Sequence, residues 1–504
     1  MFNESEAVRG GPADRRGSSR FAYSGCDGSP DRSAGTRCRR RARRAATGLV
    51  ERCHFGARPI AIAAIVTLLF GSAAFADHPR PNVIFILLDD LGWGDLARFG
   101  HPKIRTPSIN RIMTNGTTFT QFYACSGVCS PSRAAFMTGQ FPGRLGIHRA
   151  IDDPGNNVEF LDPQVLSVTQ AFHDAGYATA LYGKWHLGRG KKKSPSPSEY
   201  GIDEHMTSNS NGPRLPDNKF RYFRALSTQI MVNQAIEFMD ANRGTPVFIN
   251  LWTMLPHSPL DPTPEQLEQY KGLGSEEAVR YYASVTAADA AIGRLLNYVF
   301  SRFIARKTII VVASDNGPVH PGSNGPFRGI KRSLYEGGIR VPFVVQWRDH
   351  VPDNHIDNDT LMAGVDFLPT LCALAGVDLP DGLPLDGEDM SDVILSGVSR
   401  PRTTPLFWQW RFAITDHVLH RSPVLAVREG PWKLLLNMDG SRHELYDIPA
   451  DPSELNNMAL DQPQLVSRLS QMALTWAQTL PEGEVEPGAG RNDYPWPQPR
   501  PTQE

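Results

Sequence analysis

The sequence predicts an α/β protein: a mixed, largely parallel sheet sandwiched by helices, followed by a small antiparallel sheet-plus-helix subdomain. Three observations carry this. Short apolar, β-branched runs alternate with helix-period stretches over most of the chain, the pattern of strands joined by crossover helices. Beyond about residue 400 the texture changes to closely spaced short strands separated by tight turns. The composition is that of a folded protein, with 40 % hydrophobic and 21 % charged residues in 504. That balance excludes wholesale disorder, a multi-span membrane protein and a small disulfide-stapled module.

The first 76 residues read as targeting sequence, not fold. The whole chain has 52 basic and 53 acidic residues, a formal charge of −1. Residues 1–58 nevertheless hold 13 Arg, no Lys and 6 acidic residues, a balance of +7. Residues 59–76 carry no charge, with an apolar core from Ile60 to Phe70 flanked by Arg52 and Arg58. Ala74-Phe75-Ala76 has the form of a signal-peptidase site, so cleavage near Ala76 and a periplasmic or secreted location are expected. An uncleaved anchor is the rival reading, since 18 residues nearly span a bilayer. The short apolar core and the softening Gly71-Ser72 favour cleavage, with no stable membrane insertion afterwards. Residues Arg39 to Arg44 mimic a nucleic-acid-binding arm, but they lie in the discarded leader and no nucleic-acid partner is expected.

The elements of the core, residues 77–400, follow in order. Strands are expected at Val83–Leu88, Ala178–Tyr182, Val247–Trp252, Thr308–Ala313 and Pro342–Trp347, and helices at Val165–Ala175 and Tyr281–Phe300. The run from Lys191 to Ser198 joins like charges to prolines and reads as an exposed loop. In the subdomain, residues 401–480, strands are expected at Val424–Arg428, Trp432–Asn437 and His443–Ile448. Glu429-Gly430 and Asp439-Gly440 supply the turns. Leu465–Leu480 reads as a terminal helix, and the tail, residues 481–504, holds six prolines. Of six cysteines, Cys125, Cys129 and Cys372 remain after the leader, an odd number that cannot complete a disulfide framework. Pairing of Cys125 with Cys129, or a C-x3-C metal fragment, stays open.

Four of the apolar runs end in reactive side chains. They lead into Asp89-Asp90, Gly183-Lys184-Trp185-His186, Pro256-His257-Ser258-Pro259 and Ser314-Asp315-Asn316-Gly317. Each cluster alone has a bland reading as a turn, a cap or a solvated side chain. Together they fall where parallel sheets place ligands, beyond the carboxyl ends of the strands. Carboxylates gathered from separate strands repel unless a cation neutralises them. Hard oxygen donors without several imidazoles or thiolates favour Ca²⁺ or Mg²⁺ over zinc. Lys184, His186, His257 and Lys331 then add positive charge and proton donors, a pocket suited to a tetrahedral oxyanion. The residues by themselves therefore point to metal-assisted hydrolysis of a phosphate or sulfate ester.

The segment Cys129-Ser130-Pro131-Ser132-Arg133 resembles the C-x-P-S-R signature of the type I, formylglycine-dependent sulfatases. Asp89-Asp90, Gly183–Gly188, Ser314–Gly317, and Lys331 with Tyr335-Glu336-Gly337-Gly338 are similar to that family's other blocks. The likeness runs over residues 80–450 and is nearest to the arylsulfatase A and N-acetylgalactosamine-6-sulfatase branch. The resemblance implies an alkaline-phosphatase-like fold and conversion of Cys129 to formylglycine by a formylglycine-generating enzyme. In the hydrated aldehyde one hydroxyl attacks sulfur, and the other, once deprotonated, expels sulfate. It further implies that Asp89, Asp90, Asp315, Asn316 and the modified Cys129 bind Ca²⁺, and that Arg133 stabilises the diol. Lys184, His257 and Lys331 would hold the sulfate, His257 or Lys331 would protonate the leaving oxygen, and His186 would take the proton that triggers release. Ser208 aligns loosely with a sulfate-pocket serine.

A phosphodiesterase or phosphonate monoester hydrolase of the same superfamily remains an alternative, as does a non-catalytic binder of sulfated glycans. The expected substrate is a sulfated small molecule or sulfated glycan. Residues 77–504 hold 39 basic and 47 acidic groups, a balance of −8, so net charge does not attract such an anion. Capture falls to the local cations of the pocket.

Overall fold

The computed structural model describes residues 80–188, 194–208, 222–302 and 304–492. The basic leader, the apolar segment, Lys191–Lys193 and the end of the Pro-rich tail lie outside the described residues. In chain order the strands are β1 (Asn82–Asp89), β2 (Thr117–Phe119), β3 (Phe122–Tyr123), β4 (Ala178–Lys184) and β5 (Glu204–Ser208). β6 (Val247–Pro256), β7 (Thr308–Ser314), β8 (Phe343–Gln346), β9 (His355–Asp357) and β10 (Met362–Ala363) follow. The last four are β11 (Leu406–Gln409), β12 (Leu425–Glu429), β13 (Trp432–Leu436) and β14 (Glu444–Asp447). The helices are α1 (Pro107–Thr114), α2 (Cys129–Thr138), α3 (Val168–Asp174), α4 (Phe223–Ala241) and α5 (Pro264–Glu268). α6 (Glu276–Ser301), α7 (Glu336–Ile339), α8 (Phe367–Ala375), α9 (Ser391–Ser396) and α10 (Pro463–Gln478) complete the set.

Among the described residues the central sheet has eight strands in the order β5-β4-β6-β1-β7-β8-β2-β9. β5, β4, β6, β1 and β7 run parallel; β8 is antiparallel to both β7 and β2, which makes the sheet mixed. β3 and β10 form a separate short pair. β1 shows why the sheet is buried on both faces. Its alternate residues Val83, Phe85 and Leu87 pack with Phe136 of α2, Phe172 of α3 and Phe367 of α8. Ile84, Ile86 and Leu88 point the other way, into a layer with Ile112 of α1, Val232 of α4 and Ile292 of α6. Period-two alternation thus feeds two helical layers. Each such side chain, fully buried, stabilises the fold by about 1.5–3 kcal/mol.

The expected strands all form, each within a few residues of its predicted limits. The helices begin where their caps dictate. Ser167 accepts from the Gln170 amide, so α3 starts at Val168 and not at Val165. Ser275 accepts from the Ala278 amide and Glu276 and Glu277 fill the first turn, so α6 begins five residues before the apolar run at Tyr281. α4, with β2, β5 and β9, goes beyond the elements singled out from the sequence.

The C-terminal sheet is antiparallel in the order β11-β12-β13-β14, with α10 packed on it. The edge strand β11 is additional to the three expected. Trp408 and Trp410 are buried in this layer, and the Trp408 indole donates to the Ala124 carbonyl at 2.8 Å, tying the subdomain to the segment before Cys129. Cys125, Cys129 and Cys372 are free and buried, so Cys125 and Cys129 are not paired with each other. No helix among the described residues is long and apolar enough to cross a membrane.

Candidate active site

Neighbouring parallel strands deliver the reactive groups to one place. β1 ends at Asp89 and passes directly into Asp90, and β7 ends at Ser314, paired with Leu88, and passes into Asp315 and Asn316. β4 ends at Lys184, opposite Ser208 at the end of β5. β6 widens near its end, where Leu87 pairs with Trp252 but Asp89 pairs with Pro256. The irregularity re-aims the chain just before His257. Gly183 is required by this crowding: its φ is +122°, and a Cβ there would sit 1.9 Å from the Trp252 carbonyl oxygen.

The fifth contribution is α2, whose first residue is Cys129 and whose ten residues are all buried. Helix amides at this end favour negative charge beside Cys129. Arg133, one turn on, donates its Nε and one terminal nitrogen to Oδ2 of Asp315 at 2.9 and 2.7 Å, and its other terminal nitrogen to the Lys184 carbonyl at 2.6 Å. Asp89 accepts Lys184 Nζ on both oxygens at 2.8 Å. Asp90 accepts Lys331 Nζ at 2.6 and 2.7 Å and Asn316 Nδ2 at 2.7 Å. Lys331 Nζ lies 3.5 Å from Cys129 Sγ, which is 4.0 Å from Asp90 Oδ1. His257 approaches Asp90 with Nε2 at 3.6 Å, while its Nδ1 bonds the Ser258 carbonyl.

Burial and charge compete in this pocket. Burial opposes ionisation of Asp89, but Lys184, with His257, Arg133 and Lys331, outweighs it and holds the carboxyl well below its usual range. Asp90 is likewise held low, burial being outweighed mainly by Lys331 and His257. Asp315 goes the other way, pushed up to about 6 by burial and by the neighbouring Asp89. Burial pushes the Cys129 thiol up to about 12 against the pull of Lys184 and Lys331, so an unmodified cysteine is a neutral thiol and a weak nucleophile here. Burial and Lys184 depress His186 to about 3.

Asp89, Asp90, Cys129 and His257 form a cluster of metal-ligating types whose donor atoms lie within 4.8 Å of one another. The Oδ1 atom of Asn316 is buried without a hydrogen-bond partner, and Asp315 meets the same group through the Asp90 amide, which donates to its Oδ1 at 3.1 Å. Cys129, Arg133, Lys184, His257, Lys331, Asp89, Asp90, Asp315 and Asn316 are therefore brought together. Ser208 is at the same end of the sheet, where its carbonyl accepts the Trp185 amide and its hydroxyl faces Met254 Sδ at 3.8 Å. His186 is buried two residues beyond Lys184, with φ +56°.

Residues 81–377 match the sulfatase family. The chain belongs to the sulfatase family. Residues 325–478 of this sulfatase also match the C-terminal region described for N-sulphoglucosamine sulphohydrolase. It is 29 % identical to arylsulfatase A of Bos taurus over 81 % of this chain and 84 % of that one. It is 31 % identical to N-acetylgalactosamine-6-sulfatase of Sus scrofa over 65 % of this chain and 68 % of that one. Among solved structures it is similar to Ps i-CgsB in complex with k-i-k-neocarrahexaose, with a TM-score of 0.72 and 25 % identity over 81 % of this chain and 95 % of that one. This sulfatase is a hydrolase acting on sulfuric ester bonds, with the alkaline-phosphatase-like architecture expected from its motifs.

Two neighbours of the site escaped sequence reasoning. Arg224, on α4, donates one terminal nitrogen to the carbonyls of Met254 and His257 at 3.0 and 2.5 Å, holding the end of β6. Asp152 lies 3.6 Å from Nε2 of His186. Neither sits in a motif; only the folded path of the chain brings them here.

Proposed function

We propose that this sulfatase releases sulfate from aryl or carbohydrate sulfate esters with formylglycine formed from Cys129 and one Ca²⁺ ion. The observation that carries the reading is the seating of Cys129 at the first turn of α2, 3.5 Å from Lys331 and 4.0 Å from Asp90. The donor set suits a hard cation: three carboxylates and an orphaned amide oxygen on Asn316 converge where no thiolate is available. Asp89, Asp90, Asp315 and Asn316 would hold the ion together with an oxygen on residue 129. Hydrated formylglycine would supply the attacking oxygen, and the bound cation would offset negative charge on the sulfate group.

The remaining roles belong to side chains of this chain. Lys184, His257 and Lys331 orient the sulfate group by charge and hydrogen bonding, with Ser208 at the pocket edge. Lys331 or His257 donates the proton that the departing alcohol needs, and His186 accepts the proton lost by the reacting oxygen. Arg133 holds Asp315 and the Lys184 carbonyl in place, which keeps both pocket walls fixed to the helix that bears Cys129.

The same reading takes residues 1–76 as a leader cleaved near Ala76, 77–400 as catalytic domain, 401–480 as C-terminal subdomain and 481–504 as tail. It makes the mature enzyme periplasmic or secreted, and a formylglycine-generating enzyme its processing partner. Peptide mass spectrometry across Ala124–Arg133, combined with sulfate release, tests it. Conversion of Cys129 in active enzyme is expected. Active enzyme with only unmodified cysteine, or strong preference for an aryl phosphodiester over an aryl sulfate, overturns it.

A further inference from the structure

We infer that Asp152 is a positioning residue for His186, so that the two act as a carboxylate–imidazole pair. The inference rests on the role given to His186 above. His186 takes a left-handed φ of +56°, uncommon for a residue with a side chain, and its ring is almost completely buried. Neither ring nitrogen makes a hydrogen bond within the described residues. The acidic group at ion-pair distance is Asp152, with Oδ2 3.6 Å from Nε2 and a carboxylate more than a third exposed. That separation is longer than a hydrogen bond, and catalytic contacts of this kind tighten as substrate excludes water.

The loop bearing Asp152 is fixed to the nucleophile. The Ile151 amide donates to the hydroxyl of Ser130, next to Cys129 in the signature, at 2.9 Å. Asn156 Oδ1 accepts from the His148 and Arg149 amides at 2.8 and 3.0 Å, and its Nδ2 donates to the Ala150 carbonyl at 2.9 Å. The side chains of one signature thus set the position of both partners: Ser130 registers the Asp152 loop, and Arg133 binds the Lys184 carbonyl two residues before His186.

The chemistry follows from the two ring nitrogens. A carboxylate facing Nε2 favours the tautomer with its hydrogen there, leaving the Nδ1 lone pair as proton acceptor. An O–H bond on the reacting group breaks, an Nδ1–H bond forms, and the resulting imidazolium is stabilised by Asp152 until the proton passes to water. Burial and the cations Lys184 and Arg133 all disfavour that imidazolium; Asp152 is the group that opposes them.

The test compares Asp152→Asn, Asp152→Glu, His186→Ala and the Asp152→Asn/His186→Ala double variant on an aryl sulfate. It adds NMR of the full-length protein labelled with ¹⁵N-histidine. For Asp152→Asn, kcat is expected to fall on the order of tenfold or more with KM within about twofold. Asp152→Glu should restore part of the loss, and the double variant should be no slower than His186→Ala alone. The His186 signal, assigned by its absence from His186→Gln, should show Nε2–H in the parent and move toward the other tautomer in Asp152→Asn. A raised KM with unchanged kcat, multiplicative losses in the double variant, or an unmoved His186 signal would each overturn the inference. A parent enzyme that releases no sulfate would instead strike the proposed function, and the NMR comparison would still decide the pairing.

Discussion

Arg133 binds Asp315 through two nitrogens converging on one oxygen, at 2.9 and 2.7 Å, with both side chains fully buried. This contact joins the helix that carries Cys129 to the strand end that carries Asn316. A lysine at 133 keeps the charge but lacks the planar fork, so it cannot hold Asp315 and the Lys184 carbonyl at once. Arg133→Lys is expected to lower kcat/KM for an aryl sulfate by about 100-fold or more. Stability should fall by roughly 1–3 kcal/mol, the cost of leaving buried hydrogen-bonding groups unsatisfied while the charge is kept. Steady-state kinetics and denaturant unfolding of the same preparation check both.

Cys129→Ala removes the side chain proposed to become the nucleophile while leaving a small apolar residue in a helix favourable to alanine. Sulfate release should drop to background, at least about 1,000-fold, with circular dichroism unchanged and the melting temperature within a few degrees. Residual turnover close to that of the parent would remove Cys129 from the mechanism.

On the proposed reading, removing the Ca²⁺ ion would deprive Asp89, Asp90 and Asp315 of the hard cation they share. Prolonged chelation is expected to abolish turnover and lower the melting temperature by several degrees, with Ca²⁺ restoring both and Mg²⁺ restoring less. Elemental analysis of the purified protein should find about one calcium per chain.

Asp289, on α6, predicts a pH dependence. Its carboxylate accepts the Ser108 and Ile109 amides at 2.9 and 2.8 Å, capping α1 from α6, and burial pushes its pKa up to about 6. The folded chain therefore binds a proton more tightly than the unfolded chain. Its contribution is fully present below about pH 4 and is lost as pH rises through 6. Asp289→Asn should remove that slope, so the stability difference from the parent should change by roughly 2–3 kcal/mol between pH 4 and 7, measured by urea unfolding.

Much of the catalytic end was legible because apolar runs and reactive clusters alternate along the chain. The ends of β1, β4 and β7, at Asp89, Lys184 and Ser314, can be read from where hydrophobic residues stop. Three things were not legible. α4 mixes buried Ser227 and Thr228 with Met231 and Val232, which blurs its amphipathic pattern, so neither the helix nor Arg224 stood out. β11 is a four-residue edge strand whose side chains alternate in burial but whose sequence, three apolar residues and a glutamine, does not alternate in polarity. The approach of Asp152 to His186, 34 positions apart, depends on turn geometry and on the hydroxyl of Ser130, which no local pattern encodes.

The loop bearing Lys331 is held from the far end of the chain. Glu336, five residues on, is buried with Lys433 of β13 at 2.9 Å, and Lys433 also meets Glu454 at 2.9 Å. Arg328, three residues before Lys331, donates to the Glu454 carbonyl at 2.9 Å. During synthesis the ribosome releases Cys129 some three hundred residues before Glu454 emerges. In the finished fold Cys129 is 3 % exposed, with Asp90 and Lys331 against its sulfur. On the proposed reading, the enzyme that converts Cys129 has its readiest access before the segment bearing Lys331 packs against the thiol.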